Sequence, residues 1–406
     1  MELEKSENYL LNKEQIALKE RCNSFALEFI RPIAKEIDIN SSIPYEVYVK
    51  AAEKGFYRPD FFIEIGLDPT GLASAIVAEE FAYGDAGLAL ALLYPALPLT
   101  AVKMAATPSQ LREIIPSLLG TTEKPKILSL AASEPEAGSD VSAYKTTAVK
   151  EGDYYILNGS KRWAGNSSVA DTYFIVASLD PNLGPKAQVI FMVDKDVEGL
   201  SFTEPFVKLG LRGMRHTDII LNNVKVHKDN ILGSESKALE KIQKLQTGLV
   251  NEKAQTAMQT FSATRPFVAA MAVGLARASH EEVLTYAKER VVFGKKIIQH
   301  QLIADLIAKQ RVQIDAARLL TYRAAHMVAN RPESSAAEGS QAKLFAAEMV
   351  QFVTSSSITI AGGLGFTNEL NLERMYRDAP IFSIFEGTNQ IQSLIIASTL
   401  SNEKIR

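Results

Sequence analysis

The chain has 406 residues, room at about 100 to 200 residues per domain for roughly two to four domains and a large core, which excludes a peptide hormone or a minimal binding module. Its residues are 47% hydrophobic and 22% charged, without a low-complexity tract, so it is expected to fold unaided. With 44 Lys+Arg against 47 Asp+Glu the net charge is -3, and neither nucleic acid nor an anionic membrane is an expected partner.

The first residues, Met1 to Glu14, are acidic and polar and lack the basic-then-apolar order of a secretory signal. The single cysteine, Cys22, shares a helical stripe with Leu18, Phe25 and Phe29, so it reads as a core residue of a cytoplasmic protein. Pro32 is expected to kink or end that helix. Ser42 stands where it would cap the next one, with Pro44 in its first turn and Gly55 past its end. Leu72 to Tyr83 is another helical run. The longest uncharged stretch, Ala86 to Val102, is interrupted by Pro95 and Pro98. It falls short of the roughly 20 apolar residues that span a bilayer, so it reads as a buried helix ending near Tyr94, and no membrane span is expected.

From Lys126 to about Val226 the period shortens. Runs beginning at Ile127, Tyr154, Thr172, Val189 and Ile219 are β-rich and separated by Gly, Asn, Asp and Pro, which predicts a compact barrel-like β domain without helical crossovers. Asn158-Gly159 is expected to close a hairpin. After Ser236 long helical periods return near 264–290, 300–330 and 334–360; Ala269, Ala270, Ala272, Gly274, Ala276 and Ala278 allow close helix packing, as in a four-helix bundle. The predicted class is a multidomain α+β protein: a helical domain over 1–125, a β domain over 126–235 and a helical bundle over 236–406. The five histidines never fall at metal-binding spacings, so no metal site is expected.

Chemistry concentrates near the end, in Ile381-Phe-Ser-Ile-Phe-Glu386-Gly-Thr-Asn-Gln-Ile-Gln, where one acid stands among apolar neighbours. Desolvation would raise its pKa toward the working pH, where a general base is most effective. The segment equally fits a glutamate in the first turn of the following helix, favoured by its dipole. Ser133-Glu-Pro-Glu-Ala-Gly138-Ser139-Asp140 is a turn-rich loop after a strand, able to hold a polar ligand or to satisfy itself. The lone Trp163 offers a flat face to a ring system or a side chain to the core. Gly362-Gly363-Leu-Gly365 is a helix terminus or a place of close phosphate approach, and Arg290-Val-Val-Phe293-Gly294 a cationic helix end. No Gly-x-Gly-x-x-Gly or P-loop pattern occurs.

Taken in this order, and with Tyr286-Ala-Lys-Glu-Arg-Val-Val-Phe-Gly-Lys-Lys, Ala361-Gly-Gly-Leu-Gly-Phe and Phe385-Glu-Gly-Thr-Asn-Gln-Ile-Gln, these segments resemble the acyl-CoA dehydrogenase and oxidase superfamily over nearly the whole chain. The resemblance implies FAD packed between the β domain and the bundle, a homotetramer, and α,β-dehydrogenation of an acyl thioester to the trans-2-enoyl product. It implies Glu386 as the base and its N–H as an oxyanion donor, with Gly387 admitting the thioester. Cofactor contacts are implied for Leu130, Ala132, Ser133, Ser139, Trp163, Gly165, Thr388 and Gln390. Arg290, Phe293, Gln301, Gly362 and Gly363 match positions that reach a neighbouring subunit's FAD. Ser139 is also implied as a substrate contact, and Arg265 matches an arginine near the CoA-binding region. Thr264 stands where some members place the base. Members with a threonine hydroxyl facing the flavin have Trp-Ile-Thr where this chain has Trp163-Ala164-Gly165. The implied partners are acyl-CoA or a carrier-protein thioester, with an electron-transfer flavoprotein or O2 as electron acceptor. Leu93, Tyr94 and Phe385 are expected pocket residues.

Overall fold

The computed structural model describes residues 8, 10–247, 256–332, 336–403 and 405. Helix α1 (Lys13–Phe25) begins at a capping box in which Asn12 and Gln15 satisfy each other's backbone N–H. It continues through one π-turn, Ala26–Ile30, into α2 (Arg31–Asn40), whose first turn holds Pro32. Of the two expected outcomes, Pro32 does not end the rod, and the regular α-turns are interrupted just ahead of it by a wider turn that accommodates the ring and the missing donor. Leu18, Cys22 and Phe25 face the core, and burial pushes the Cys22 thiol far up, which keeps it inert. Ser42 does not cap α3 (Tyr45–Glu53). Extended Pro44 is the N-cap and holds Ser42 away from the first turn, where its hydroxyl accepts from Arg215.

Four helices follow closely: α4 (Pro59–Leu67), α5 (Leu72–Gly84), α6 (Ala86–Leu93) and α7 (Ala96–Ala105). Ala86–Ala105 reaches 20 residues and, like Ala336–Phe366, is apolar enough to cross a membrane by length and composition. It breaks at Tyr94–Pro95, and Leu88, Leu92 and Leu93 are fully buried in the core, as the sequence predicts for this stretch. Helix α8 (Pro108–Leu118) leads to the sheet.

The sheet contains β1 (Leu128–Ala131), β2 (Thr147–Glu151), β3 (Tyr154–Lys161), β4 (Thr172–Ser178), β5 (Gln188–Asp194), β6 (Leu200–Phe202) and β7 (Ile219–His227). Its order is β1-β4-β2-β3-β7-β6 with β5 also on β4, so β4 has neighbours enough to curl the layer. No long helix separates the strands, yet β1 and β4 are parallel, from Leu128↔Thr172 to Ala131↔Ile175, because the β2–β3 hairpin supplies the crossover. Asn158-Gly159 is not a turn. It lies inside β3 at a register shift, where a Cβ on Gly159 would fall 2.6 Å from Thr146 Oγ1; Gly152-Asp153 makes the hairpin instead.

Beyond α9 (Glu235–Gln246) comes the long α10 (Thr256–Glu289), the small hairpin β8 (Val291–Val292) and β9 (Lys295–Lys296), then α11 (Gln301–Asn330), α12 (Ala336–Ala361), α13 (Leu372–Asp378) and α14 (Asn389–Ser401). The four long members of this set pack as a bundle, and α10 also lies against α5. Gly274 makes that second approach possible: a Cβ there would sit 2.0 Å from the Glu79 carbonyl oxygen. Beside it runs a buried ion-pair network, Arg277 to Glu79 at 2.7 Å and Arg318 to Glu79 at 2.9 Å, with Glu80 also on Arg277.

Candidate active site

Glu386 stands in a turn between Ala379–Ser383 and α14, whose N-cap is Thr388; the Thr388 side chain accepts from Ile391 N at 3.3 Å. Glu386 is therefore outside that helix, and the first-turn reading of its carboxylate does not hold. The backbone is left-handed at two successive residues, φ +54° at Glu386 and +88° at Gly387. A non-glycine residue there costs about 1 kcal/mol, so something must hold it. Buried Gln392 donates from Nε2 to the carbonyls of Glu386 at 3.1 Å and Gly387 at 2.9 Å, and Lys343 Nζ donates to the Gly387 carbonyl at 2.7 Å. With both carbonyls turned inward, no acceptor among the described residues takes the Glu386 N–H.

The Glu386 carboxylate accepts the Thr264 hydroxyl at Oε2, 2.8 Å. The residue keeps part of its surface open, but the protein around the carboxyl excludes enough water to push its pKa up to about 7. Thr264, Arg265 and Lys343 pull in the opposite direction and do not win. Arg265 is buried on α10 and donates to Ser340 Oγ at 3.2 Å, its Nε left without a partner. Lys343, 1% exposed on α12, is held down to about 8 by burial, with Glu386 opposing.

A second cluster forms where β1 ends. The buried Tyr94 hydroxyl accepts the Gly165 N–H at 2.9 Å and donates to the Leu130 carbonyl at 3.2 Å, while Ser129 Oγ donates to the Gly165 carbonyl at 2.8 Å. A Cβ on Gly165 would lie 2.4 Å from the Tyr94 ring and 2.1 Å from Met214 Cε, so no side chain fits at that position. Burial raises the Tyr94 hydroxyl pKa well above its ordinary value and Glu386 adds to the shift, which ties this cluster to the acid. Ala132 and Ser133 lend carbonyls to Lys161 Nζ at 3.0 Å and Arg162 N at 2.8 Å. Glu134 fastens the loop, accepting from Lys161 Nζ at 2.8 Å and from the N–H groups of Lys145 and Thr146 at 2.6 and 2.9 Å. Ser139 is exposed at the tip of that loop.

Trp163 is left-handed, φ +67°, and 55% exposed, with its ring on Phe206 at 4.9 Å between centroids. An indole held this far open presents an apolar plane, its neighbour Arg162 bonded through N–H to the Ser133 carbonyl, and an open aromatic face with nearby polar loop residues fits the isoalloxazine of FAD, which is flat and rimmed with polar atoms. Among the described residues no group of three or more His, Cys, Asp or Glu could hold a metal ion.

The other expected residues are elsewhere. Arg290, Phe293 (93% exposed), Gln301, Gly362 and Gly363 are exposed, and so is Gln390 at the start of α14. At 1.5 Å per residue, the stretch of α10 from Thr264 to Arg290 is roughly 39 Å long, so one chain does not bring the Arg290 end to Glu386. Gln392, Lys343, Glu134 and the bonding of Tyr94 carry the site without having been singled out; only the burial of Gln392 beside a glycine turn, at helical spacing from Thr388, left a trace in the sequence.

Family models match the chain in three successive pieces, described as the N-terminal, middle and C-terminal domains of acyl-CoA dehydrogenase, over residues 12–121, 129–224 and 254–401. The 3-(aryl)acrylate reductase of Clostridium sporogenes is 35% identical over 386 residues, 94% of this chain and 97% of that protein. The caffeyl-CoA reductase-Etf complex subunit CarC of Acetobacterium woodii is 34% identical over 377 residues, 92% of this chain and 94% of that protein. Among solved structures, butyryl-CoA dehydrogenase from Megasphaera elsdenii superposes with a TM-score of 0.86 at 28% identity, covering 97% of this chain and 99% of that one.

Proposed function

Because the chain belongs to the acyl-CoA dehydrogenase family of FAD-dependent oxidoreductases, we propose that Glu386 is the base that removes the α-proton of an acyl-CoA. The observation that carries this is a carboxylate held by Thr264 in surroundings dry enough to push its pKa up to about 7, in a turn whose N–H meets no acceptor among the described residues. Thr264 holds Oε2, which leaves Oε1 to take the proton. The Glu386 N–H polarises the thioester carbonyl, and the electron pair of the broken Cα–H bond becomes the new double bond. Trp163, Ser133 and Ser139 would hold FAD, which when bound would supply the acceptor for the hydride leaving Cβ. Gly387 and Gln392 keep the turn in shape, and Tyr94 fixes the end of β1, whose residues would line the cofactor's site.

The same groups run backwards. A protonated Glu386 returns its proton to Cα of a 2-enoyl thioester, and two relatives are named reductases. The name of one relative also includes Etf, which favours an electron-transfer flavoprotein over O2 as the redox partner. A second copy of the chain, in a homotetramer, brings Arg290, Phe293, Gln301, Gly362 and Gly363 to the cofactor that these residues cannot reach within one subunit. A carrier-protein thioester in place of acyl-CoA predicts no saturable activity with free acyl-CoA.

The test is Glu386→Gln. The variant is expected to stay yellow and to lose α-proton exchange of butyryl-CoA in D2O by at least about a thousandfold; exchange at the wild-type rate would remove Glu386 from this role. In the wild type, the base must be ionised, so exchange should rise with pH through about 7 and level off above it.

A further inference from the structure

Lysine is rarely found where Lys343 is, on a face of α12 shared with Ala342, Ala346, Ala347 and Val350, all buried. An ammonium taken out of water costs several kcal/mol unless oxygens replace the water. Its oxygens come from the active-site turn: Gly387 O at 2.7 Å and Asn389 Oδ1 at 3.3 Å, on either side of Thr388. No carboxylate among the described residues forms an ion pair with it, and the negative charge that acts on it is Glu386.

We propose that Lys343 is a positioning residue for the reaction: it clamps the left-handed Glu386–Gly387 turn from the bundle side and places an ammonium beside the base. This rests on Glu386 being that base. The Gly387 carbonyl is shared by Lys343 and Gln392, so the peptide before Thr388 is held from two helices, α12 and α14, and cannot rotate without abandoning both donors. The groups facing Glu386 are Thr264 and Arg265 from α10, Lys343 from α12 and Tyr94 at the end of α6. Those facing Lys343 are Glu386 and Arg265. Thr264 and Tyr94 stay neutral at working pH, and Arg265 is the larger of the two cationic influences on the base, so removing Lys343 takes away the second cation and leaves the ionised base with Arg265 alone.

Two variants separate the clamp from the charge. Lys343→Met removes both; Lys343→Gln keeps an N–H for the Gly387 carbonyl and removes only the charge. In the flavin-loaded protein, with flavin content read by absorbance and butyryl-CoA α-proton exchange measured against pH, the acid limb should move up by about one unit in both variants, the size of effect a neighbouring charge produces. Above the limb the Gln variant should return to within a fewfold of wild type while the Met variant stays at least tenfold slower, and Lys343→Arg should restore the wild-type limb. Should the Met variant fail to hold flavin, the Gln variant decides. A limb unmoved in Lys343→Gln overturns the proposal, since a merely structural lysine would leave the profile in place. An inactive Glu386→Gln with an unmoved Lys343→Gln limb sinks the lysine alone; an active Glu386→Gln sinks the base.

Discussion

At position 387 two independent constraints leave room for glycine only: a φ of +88° and a Gln392 Nε2 that would lie 2.6 Å from any Cβ. Gly387→Ala is expected to add about 1–2 kcal/mol of backbone strain and to push Gln392 off the two carbonyls that it holds. The readable outcome is a fall of more than tenfold in α-proton exchange with only a small loss of melting temperature. At this scale the sequence shows what stands out chemically from its neighbours. Glu386 is legible because it is a lone acid in an apolar run. Lys343 is not, because a buried lysine on an alanine-rich helix has the same spacing as a solvated one, and its partner Gly387 is 44 residues away. Arg265 is legible as a residue, but its place on Ser340 beside the acid follows only from how α10 and α12 meet. Gly165, conspicuous as a missing hydroxyl, is explained by Tyr94 and Met214, which lie far from it in the chain.

Elements were legible where periodicity is long. The three long helices of the bundle and the strands at Tyr154, Thr172 and Ile219 lie where their patterns predict. Strands β2 and β6 were missed because they are short, with few buried positions to make a pattern. Pro32 marks an irregular point in its helix, but the form it takes, a π-turn just ahead of the proline, is announced by no spacing of side chains. The parallel register of β1 and β4 belongs to the sheet rather than to either strand. The close crossing of α5 and α10 gives a prediction at the same scale: Gly274→Ala would drive a methyl into backbone, 2.0 Å from Glu79 O, which a flexible side chain could escape and a carbonyl cannot. A destabilisation of about 2–3 kcal/mol is expected, seen as a lower melting temperature of the flavin-loaded protein, together with disturbance of the Arg277–Glu79 pair.

Across the whole molecule the acid lies against the N-terminal part of α10, at Thr264, while Arg290 and the highly exposed Phe293 lie beyond its other end. A large aromatic left in water on a two-stranded hairpin is expected to be covered by something. If a second subunit's cofactor covers it, Phe293→Ala should keep its circular dichroism and lose bound FAD, and sedimentation velocity should show whether assembly is lost along with the flavin. Full flavin content in that variant would place the cofactor wholly within one chain.

Phenols of the N-terminal helical domain fasten it to the β domain. Tyr94, the C-cap residue of α6, bonds to β1 and to the Gly165 amide, and Tyr48 of α3 reaches Asn166 Oδ1 at 3.3 Å, so the N-terminal helices grip the end of the sheet next to the acid. The Gly165 amide is then a built-in reporter: its deuterium uptake measures how often the Tyr94 contact opens, and a bound flavin should slow it.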